Sequence, residues 1–266
     1  MTQICSVCGG TAFGYAPILP GKLVADWELS PEEAAYVNRQ QGEHCTACYS
    51  NLRSIVLANA LRAVWGTTKT LRDYCASAEA AGLSVLELNP AGTLHDYLVA
   101  LPGHRLGAYP EIDMHALPFP DATFDTVVHS DTLEHVADPV GALVECLRVT
   151  RPGGAVCYTV PIVVGRLSRD RVGLPASHHG PPDETRDDYL VHTEFGADAW
   201  THPMRAGAAE VRIFSVAHPA AHAIAAFRVP PSATRTEELA HVIDVMRRST
   251  SWRITAPLRA LGRLLK

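Results

Sequence analysis

Four of the seven cysteines fall in two Cys-x-x-Cys pairs, Cys5-Ser6-Val7-Cys8 and Cys45-Thr46-Ala47-Cys48. Each pair sets two thiolates on a tight turn, and the 36 residues between them (9–44) let both turns face a common point. Four sulfurs around one point form a closed tetrahedral zinc site, with no position left for water. Cys5, Cys8, Cys45 and Cys48 are therefore expected to hold a structural metal with no catalytic duty. Gly9 and Gly10 permit the backbone to fold over it. A redox pair would open a helix after a strand, and neither pair does. His44 is nearby, but four thiolates already fill the shell.

A second group of reactive side chains lies in the long polar connection from 163 to 200, which carries His178-His179-Gly180-Pro181-Pro182-Asp183 and His192-Thr193-Glu194-Phe195-Gly196. Unstructured connections of this length inside a compact domain usually serve function. Imidazoles titrate near neutrality, so His178 and His192 are candidate bases for taking a proton from a hydroxyl. Solvated loop histidines are the plainer alternative. The irregular spacing of His178, His179 and His192 argues against a second metal site.

These groups need a frame, and the stretch from 111 to 159 supplies it. Phe124 to His129 and Gly154 to Val160 are β-branched apolar runs of strand length. Between them Asp138 is placed as an N-cap, Pro139 fits the first helical turn, and Val140, Leu143, Val144 and Leu147 recur at helical spacing. Arg151-Pro152-Gly153-Gly154 ends that helix. Strand, helix, strand with short joints is the unit of a parallel sheet, whose ligands bind at the carboxyl ends of the strands. Leu83 to Leu88 reads as the first strand of the sheet, Leu106 to Tyr109 as the second, and 210–216 and 222–229 as a closing pair. Helices are expected over 50–65, 70–81 and 196–207, and Ser30-Pro31-Glu32-Glu33 is a helix start with capping-box spacing.

Asp113-Met114-His115-Ala116-Leu117-Pro118-Phe119-Pro120-Asp121-Ala122-Thr123-Phe124-Asp125, then Leu133-Glu134-His135-Val136, Leu147-Arg148-Val149 and Pro152-Gly153-Gly154, occur in this order over about a third of the chain. This succession resembles the small-molecule branch of the class I S-adenosylmethionine-dependent methyltransferases. Gly42, Cys45, Cys48 and Asn51-Leu52-Arg53-Ser54 are similar to members associated with bacterial glycan and glycosyl-transfer pathways. The resemblance implies an α/β fold, a seven-stranded Rossmann-like methyltransferase sheet whose last strand runs antiparallel, with an N-terminal zinc-ribbon module and a C-terminal helical tail. The expected division is 1–50, 51–230 and 231–266. It implies S-adenosylmethionine beside structural zinc as cofactors, and a sugar, glycan-linked or other small-molecule acceptor. A non-catalytic scaffold on the same fold is the alternative.

The resemblance also assigns residues. Glu87 stands where the family's acidic residue orders water and the cofactor's amino group, and Asn89 and Gly92 lie in the turn that follows. Asp113 matches the carboxylate that accepts from the adenine amino group, Met114 is an apolar wall for the ring, and Ser130 lies near the methyl-bearing sulfur. His135 braces the pocket in the family more often than it moves a proton, and it joins His178 and His192 as a candidate base. Two departures stand out. Asn89-Pro90-Ala91-Gly92-Thr93 keeps one of the usual two or three glycines, with Pro90 lacking a donor. The second strand also ends without the family's ribose-binding acid, for which Glu111 is a weak substitute. Arg53 is expected at the surface or against the zinc module.

Composition sets the outer bounds. With 266 residues that are 47% hydrophobic, the chain can bury a proper core. A net charge of −5 gives no general electrostatic case for nucleic acid. No long apolar run or signal peptide is evident, which together with unpaired cysteines points to a reducing, cytoplasmic setting. From Thr234 a helical tail is expected. Its last twenty residues carry Arg247, Arg248, Arg253, Arg259, Arg263 and Lys266 and no acid. Ser249 to Arg259 resembles terminal segments of polysaccharide-pathway enzymes, which implies contact with a glycosyltransferase or an anionic inner-membrane surface.

Overall fold

A computed structural model describes residues 4–178 and 187–229. The described residues up to Arg228 form one compact unit. The basic tail lies outside the described residues, as does His179.

This unit begins with β1 (Phe13–Tyr15), α1 (Gly21–Asp26), α2 (Pro31–Gly42) and β2 (Glu43–Cys45), with β1 and β2 paired antiparallel. The capping box at α2 is present in full: Glu33 N donates to Ser30 Oγ, and Ser30 N donates to Glu33. Next come α3 (Leu52–Val64), α4 (Leu71–Cys75), β3 (Ser84–Leu88), α5 (His95–Leu98), β4 (Gly103–Gly107), β5 (Phe124–Ser130), α6 (Pro139–Val149) and β6 (Thr150–Thr159). Asp138 caps α6 through Oδ1, which accepts from Gly141 N at 2.9 Å. A Cβ at Gly141 would meet that same carboxylate at 2.5 Å, so glycine is needed there.

The main sheet has the order β10-β11-β6-β5-β3-β4, with β10 (Glu210–Val216) and β11 (Ala221–Phe227) closing it. The strands β4, β3, β5 and β6 are parallel, and β11 runs antiparallel to β6, as expected. The expected seven strands are six in this sheet among the described residues. No strand forms over 108–123, the segment that follows β4. Pro110, Pro118 and Pro120 there lack the N–H that a ladder needs.

The connection after β6 is not a bare loop. It holds β7 (Ile162–Val163), β8 (Arg169–Asp170) and β9 (Thr193–Gly196), a small sheet of order β7-β9-β8. Because β9 takes Gly196, the helix expected over 196–207 shrinks to α7 (Thr201–Arg205). The helix expected over 70–81 likewise stops at Cys75, followed by a single tight turn at 78–80.

Helix α3 packs on one face of the sheet against β6, β10 and β11, and Leu52 to Ala58 are all buried. Cys5, Val7 and Cys45 share this core with Leu57, Val85 and Ala223. On the opposite face α6 and the residues before and after α7 pack on Leu86, Val127 and Val156. Trp27 and Tyr36 form a third cluster with Val163 and Val191. No helix among the described residues is long and apolar enough to cross a membrane.

Candidate active site and cysteine centre

The two cysteine turns are built alike. Gly9 follows Cys8 at φ 83°, and Tyr49 follows Cys48 at φ 58°. Gly9 N donates to Cys5 O and Tyr49 N to Cys45 O, both at 2.8 Å, so each turn closes over its own first cysteine. The sulfurs converge: Cys5 to Cys48 and Cys8 to Cys45 are each 3.7 Å apart, and all four lie within 4.8 Å of one another. A tetrahedron with Zn–S bonds of about 2.3 Å has edges of about 3.8 Å, so the donor set fits zinc. Gly10 lies against the sulfurs, where a Cβ would meet Cys45 Sγ at 2.8 Å and Cys8 Sγ at 3.3 Å. Burial pushes the Cys5 and Cys8 thiols up. Burial opposes ionisation at Cys48 too, but hydrogen bonds with Ser50 hold that thiol below its usual range.

Strand order reverses at β3, since β4 lies on one side and β5 on the other. The carboxyl ends of β3 and β5 therefore flank a topological switch point, where open α/β sheets bind ligands. On the β3 side, Asn89 is left-handed at φ 56°, and its Oδ1 accepts from Tyr109 N at 3.0 Å. Gly92, exposed and at φ 55°, abuts α3, because a Cβ there would lie 3.3 Å from Ser54 Oγ. On the β5 side, Ser130 Oγ shares a 2.8 Å hydrogen bond with Thr159 Oγ1. Asp113 is half exposed, and its Oδ1 accepts from both His115 N and His115 Nδ1, at 2.8 and 2.9 Å. Its hydrogen bonds to His115, the backbone N–H first, hold the carboxyl below the usual carboxylate range against burial. Met114 is buried.

Glu87 is completely buried, and protein donors take both of its oxygens. Ala91 N donates to Oε1 at 2.7 Å, while His95 Nδ1 and His104 Nε2 reach Oε2 at 2.8 and 2.7 Å. The carboxylate thus braces the glycine-poor turn from within. The three side chains also form a cluster of metal-ligand type, although the hydrogen bonds satisfy them as they stand.

Arg53, expected at the surface or against the zinc module, is instead buried beside the end of β5. It is 2% exposed, with Nη1 2.6 Å from Asp131 Oδ1. None of its three guanidinium nitrogens reaches hydrogen-bond geometry. The legible signal is a lone cation in the first turn of a helix that continues through the apolar run Ile55 to Ala58. Burial, and next the nearby Glu134 charge, push the Asp131 carboxyl up, while Arg53 pulls it down. Asp131 is also left-handed, at φ 50°.

The three candidate bases gather around residues 190–192. His135 Nδ1 lies 3.1 Å from Leu190 O, His192 N donates to Glu134 O at 2.8 Å, and His178 bridges Leu190 through the backbone. Burial first, then the His135 and His115 charges, lower the His192 pKa, so its ring is neutral at pH 7. His192 also lines a cavity of roughly 510 Å³ between the start of α6, the 168–176 segment and α7. His202, Arg205, Asp138, Asp170 and Asp198 give that cavity a charged and polar wall.

Comparison with known proteins bears on this geometry. Residues 75–158 match the family model described as a methyltransferase domain. An uncharacterized methyltransferase of Schizosaccharomyces pombe is 59% identical over 53 residues, 20% of this chain and 17% of that protein. An uncharacterized methyltransferase of Mycolicibacterium vanbaalenii is 35% identical over 102 residues, 38% of this chain and 40% of its own. A Mycolicibacterium smegmatis protein named a probable S-adenosylmethionine-dependent methyltransferase is 38% identical over 71 residues, 25% of this chain and 28% of its own. The chain thus spans well under half the length of these relatives. Among solved structures, a SAM-dependent methyltransferase of Methanosarcina mazei superposes with a TM-score of 0.36 at 12% identity, over 56% of this chain and 94% of that one. That match is loose, and the fold rests on the strand order. Residues 75–158 of this chain are thus similar to a methyltransferase domain.

Proposed function

We propose that the protein transfers a methyl group from S-adenosylmethionine to a hydroxyl of a sugar, glycan-linked or comparable polar small molecule, with structural zinc at the four cysteines. The observation that carries this reading is the switch-point crevice, where Asn89 and Gly92 follow β3 and Ser130 ends β5, with Asp113 and Met114 in the irregular segment after β4. Asp113 would accept from the adenine amino group through Oδ2, which takes no hydrogen bond from the described residues. Met114 would wall the ring. Glu87 would act by holding the turn through Ala91 N.

When bound, the cofactor supplies an activated methyl on a positively charged sulfur. What remains for the protein is to align the acceptor and remove its proton. The polar cavity reached by His192 is the acceptor site in this reading, and neutral His192 takes the proton, with His135 held beside it by Leu190 O. Alternating carboxylates, arginines and imidazoles suit a ligand rich in hydroxyls. A non-catalytic scaffold is the competing reading.

The test is incubation of the full chain with methyl-labelled donor and a panel of sugars, nucleotide sugars and glycan fragments. Label should pass to a hydroxyl-bearing acceptor, and His192→Ala should lower the rate by about 10²-fold, the low end for a lost general base. Cofactor binding without transfer to any acceptor would favour the scaffold.

A further inference from the structure

The turn after β3 keeps a single glycine, so its shape has to come from contacts made to it. Three successive residues receive them. Ala91 N donates to Glu87 Oε1 at 2.7 Å, Gly92 abuts Ser54, and Thr93 Oγ1 shares a 2.8 Å hydrogen bond with Ser50 Oγ. The last two contacts start from one place. Ser50 and Ser54 follow the second cysteine pair directly, and Asn51 between them caps α3, its Oδ1 accepting from Ser54 N at 2.9 Å. The first cysteine turn reaches the same helix, since Ser6 Oγ donates to Ile55 O at 2.8 Å.

Ser50 is completely buried, and its Oγ lies 3.3 Å from Cys48 Sγ as well as against Thr93. Cys48 Sγ, Ser50 Oγ and Thr93 Oγ1 therefore form an unbroken line from the cysteine centre to the turn. A hydroxyl has one proton to give. A metal-bound sulfur is a thiolate and only accepts, so with the centre loaded Ser50 donates to Cys48 and accepts from Thr93. Both hydroxyls then have one direction. A protonated Cys48 can instead donate to Ser50, and the bond between Ser50 and Thr93 runs either way.

Resting on the methyltransferase and zinc readings above, we propose that Ser50 and Thr93 are positioning residues that carry the state of the cysteine centre to the turn after β3, so that metal held by the four cysteines raises affinity for the cofactor. The turn is stiffened before the ligand arrives, and less ordering remains for binding to supply. Coupling between two sites is reciprocal, so bound cofactor tightens the hold on the metal by the same factor.

The test is calorimetry of S-adenosylhomocysteine on the full chain, zinc-loaded and after removal of zinc by a chelator under reducing conditions. The loaded protein should bind about tenfold tighter, a usual size for coupling between sites. Thr93→Val, which keeps the shape and removes the hydroxyl, should bring the two forms within about twofold of each other, and Ser50→Ala should do the same. Thr93→Ser, which keeps the hydroxyl, should retain most of the ratio. Where the stripped protein does not stay folded, equilibrium competition for zinc with a chelator, with and without saturating S-adenosylhomocysteine, reads the same ratio from the other side. Coupling that ran only through global folding would persist in Thr93→Val, and that result overturns the proposal. Equal affinity of the loaded and stripped unaltered protein overturns it too. A chain that takes up no zinc overturns the zinc reading and this proposal with it, whereas absence of binding to S-adenosylhomocysteine by the loaded protein overturns the methyltransferase reading.

Discussion

His129 is wholly buried in β5, stacked on Tyr158 with ring centroids 4.8 Å apart, and neither ring nitrogen has a hydrogen-bond partner. Burial drives its pKa down to about 4, only partly offset by the Glu134 charge. An unfolded histidine titrates near 6.5, so between about 6.5 and 4 the unfolded chain holds a proton that the native one refuses. Stability must then fall as pH falls, by about 1.4 kcal/mol per unit and about 3 kcal/mol in all. Urea denaturation at pH 7.5 and 5.0 should show about 2 kcal/mol of this loss, and His129→Phe, which keeps the stack, should remove most of it; an unchanged slope in the variant would refute the assignment. Gly10 makes an equally local demand. In Gly10→Ala the new methyl meets Cys45 Sγ at 2.8 Å, so zinc content measured after dialysis should fall below half of that in the parent protein. Full retention would mean that the four sulfurs do not hold the metal as described.

Between elements, the strongest tie is electrostatic and buried. Glu194 on β9, 1% exposed, pairs with Arg169 at 2.9 Å and with Arg171, while Arg166 clamps Glu33 of α2 at 2.8 Å and Trp27 O at 2.8 Å. The α1–α2 insertion is thereby fixed to the segment after β6, with Trp27 Nε1 donating to Ser177 Oγ at 3.2 Å. Glu194→Gln would leave guanidinia facing a neutral group in a dry site and should cost about 3–5 kcal/mol in urea denaturation. A loss under 1 kcal/mol would show the network to be incidental. The sequence foretold this level unevenly. Helix α6 and the parallel strands were legible because an N-cap, a proline and apolar periodicity all agreed. The small sheet of β7, β8 and β9 was not, because its strands are two to four residues long and set in a polar stretch with no periodicity to read. Arg53 was misplaced for a related reason: whether a helix is buried on every side depends on distant strands, which local spacing does not reveal.

At the scale of the whole molecule, the cysteine centre and the sheet share a core, since Cys5, Val7 and Cys45 pack with residues of α3, β3 and β11. Stripping the proposed zinc should therefore reach the main sheet. With a tight chelator the melting temperature should fall by at least about 5 °C, corresponding to roughly 2 kcal/mol for a chain of this size. An unshifted melt in metal-free protein would show that the cysteines contribute nothing to the fold's stability. The central claim is that the crevice between β3 and β5 holds an adenosine-bearing cofactor, and calorimetric titration of the full chain with S-adenosylhomocysteine tests it most directly. Saturable one-site binding in the micromolar range, weakened about tenfold in Asp113→Ala, is the predicted result; no heat and no thermal shift at millimolar ligand would contradict it.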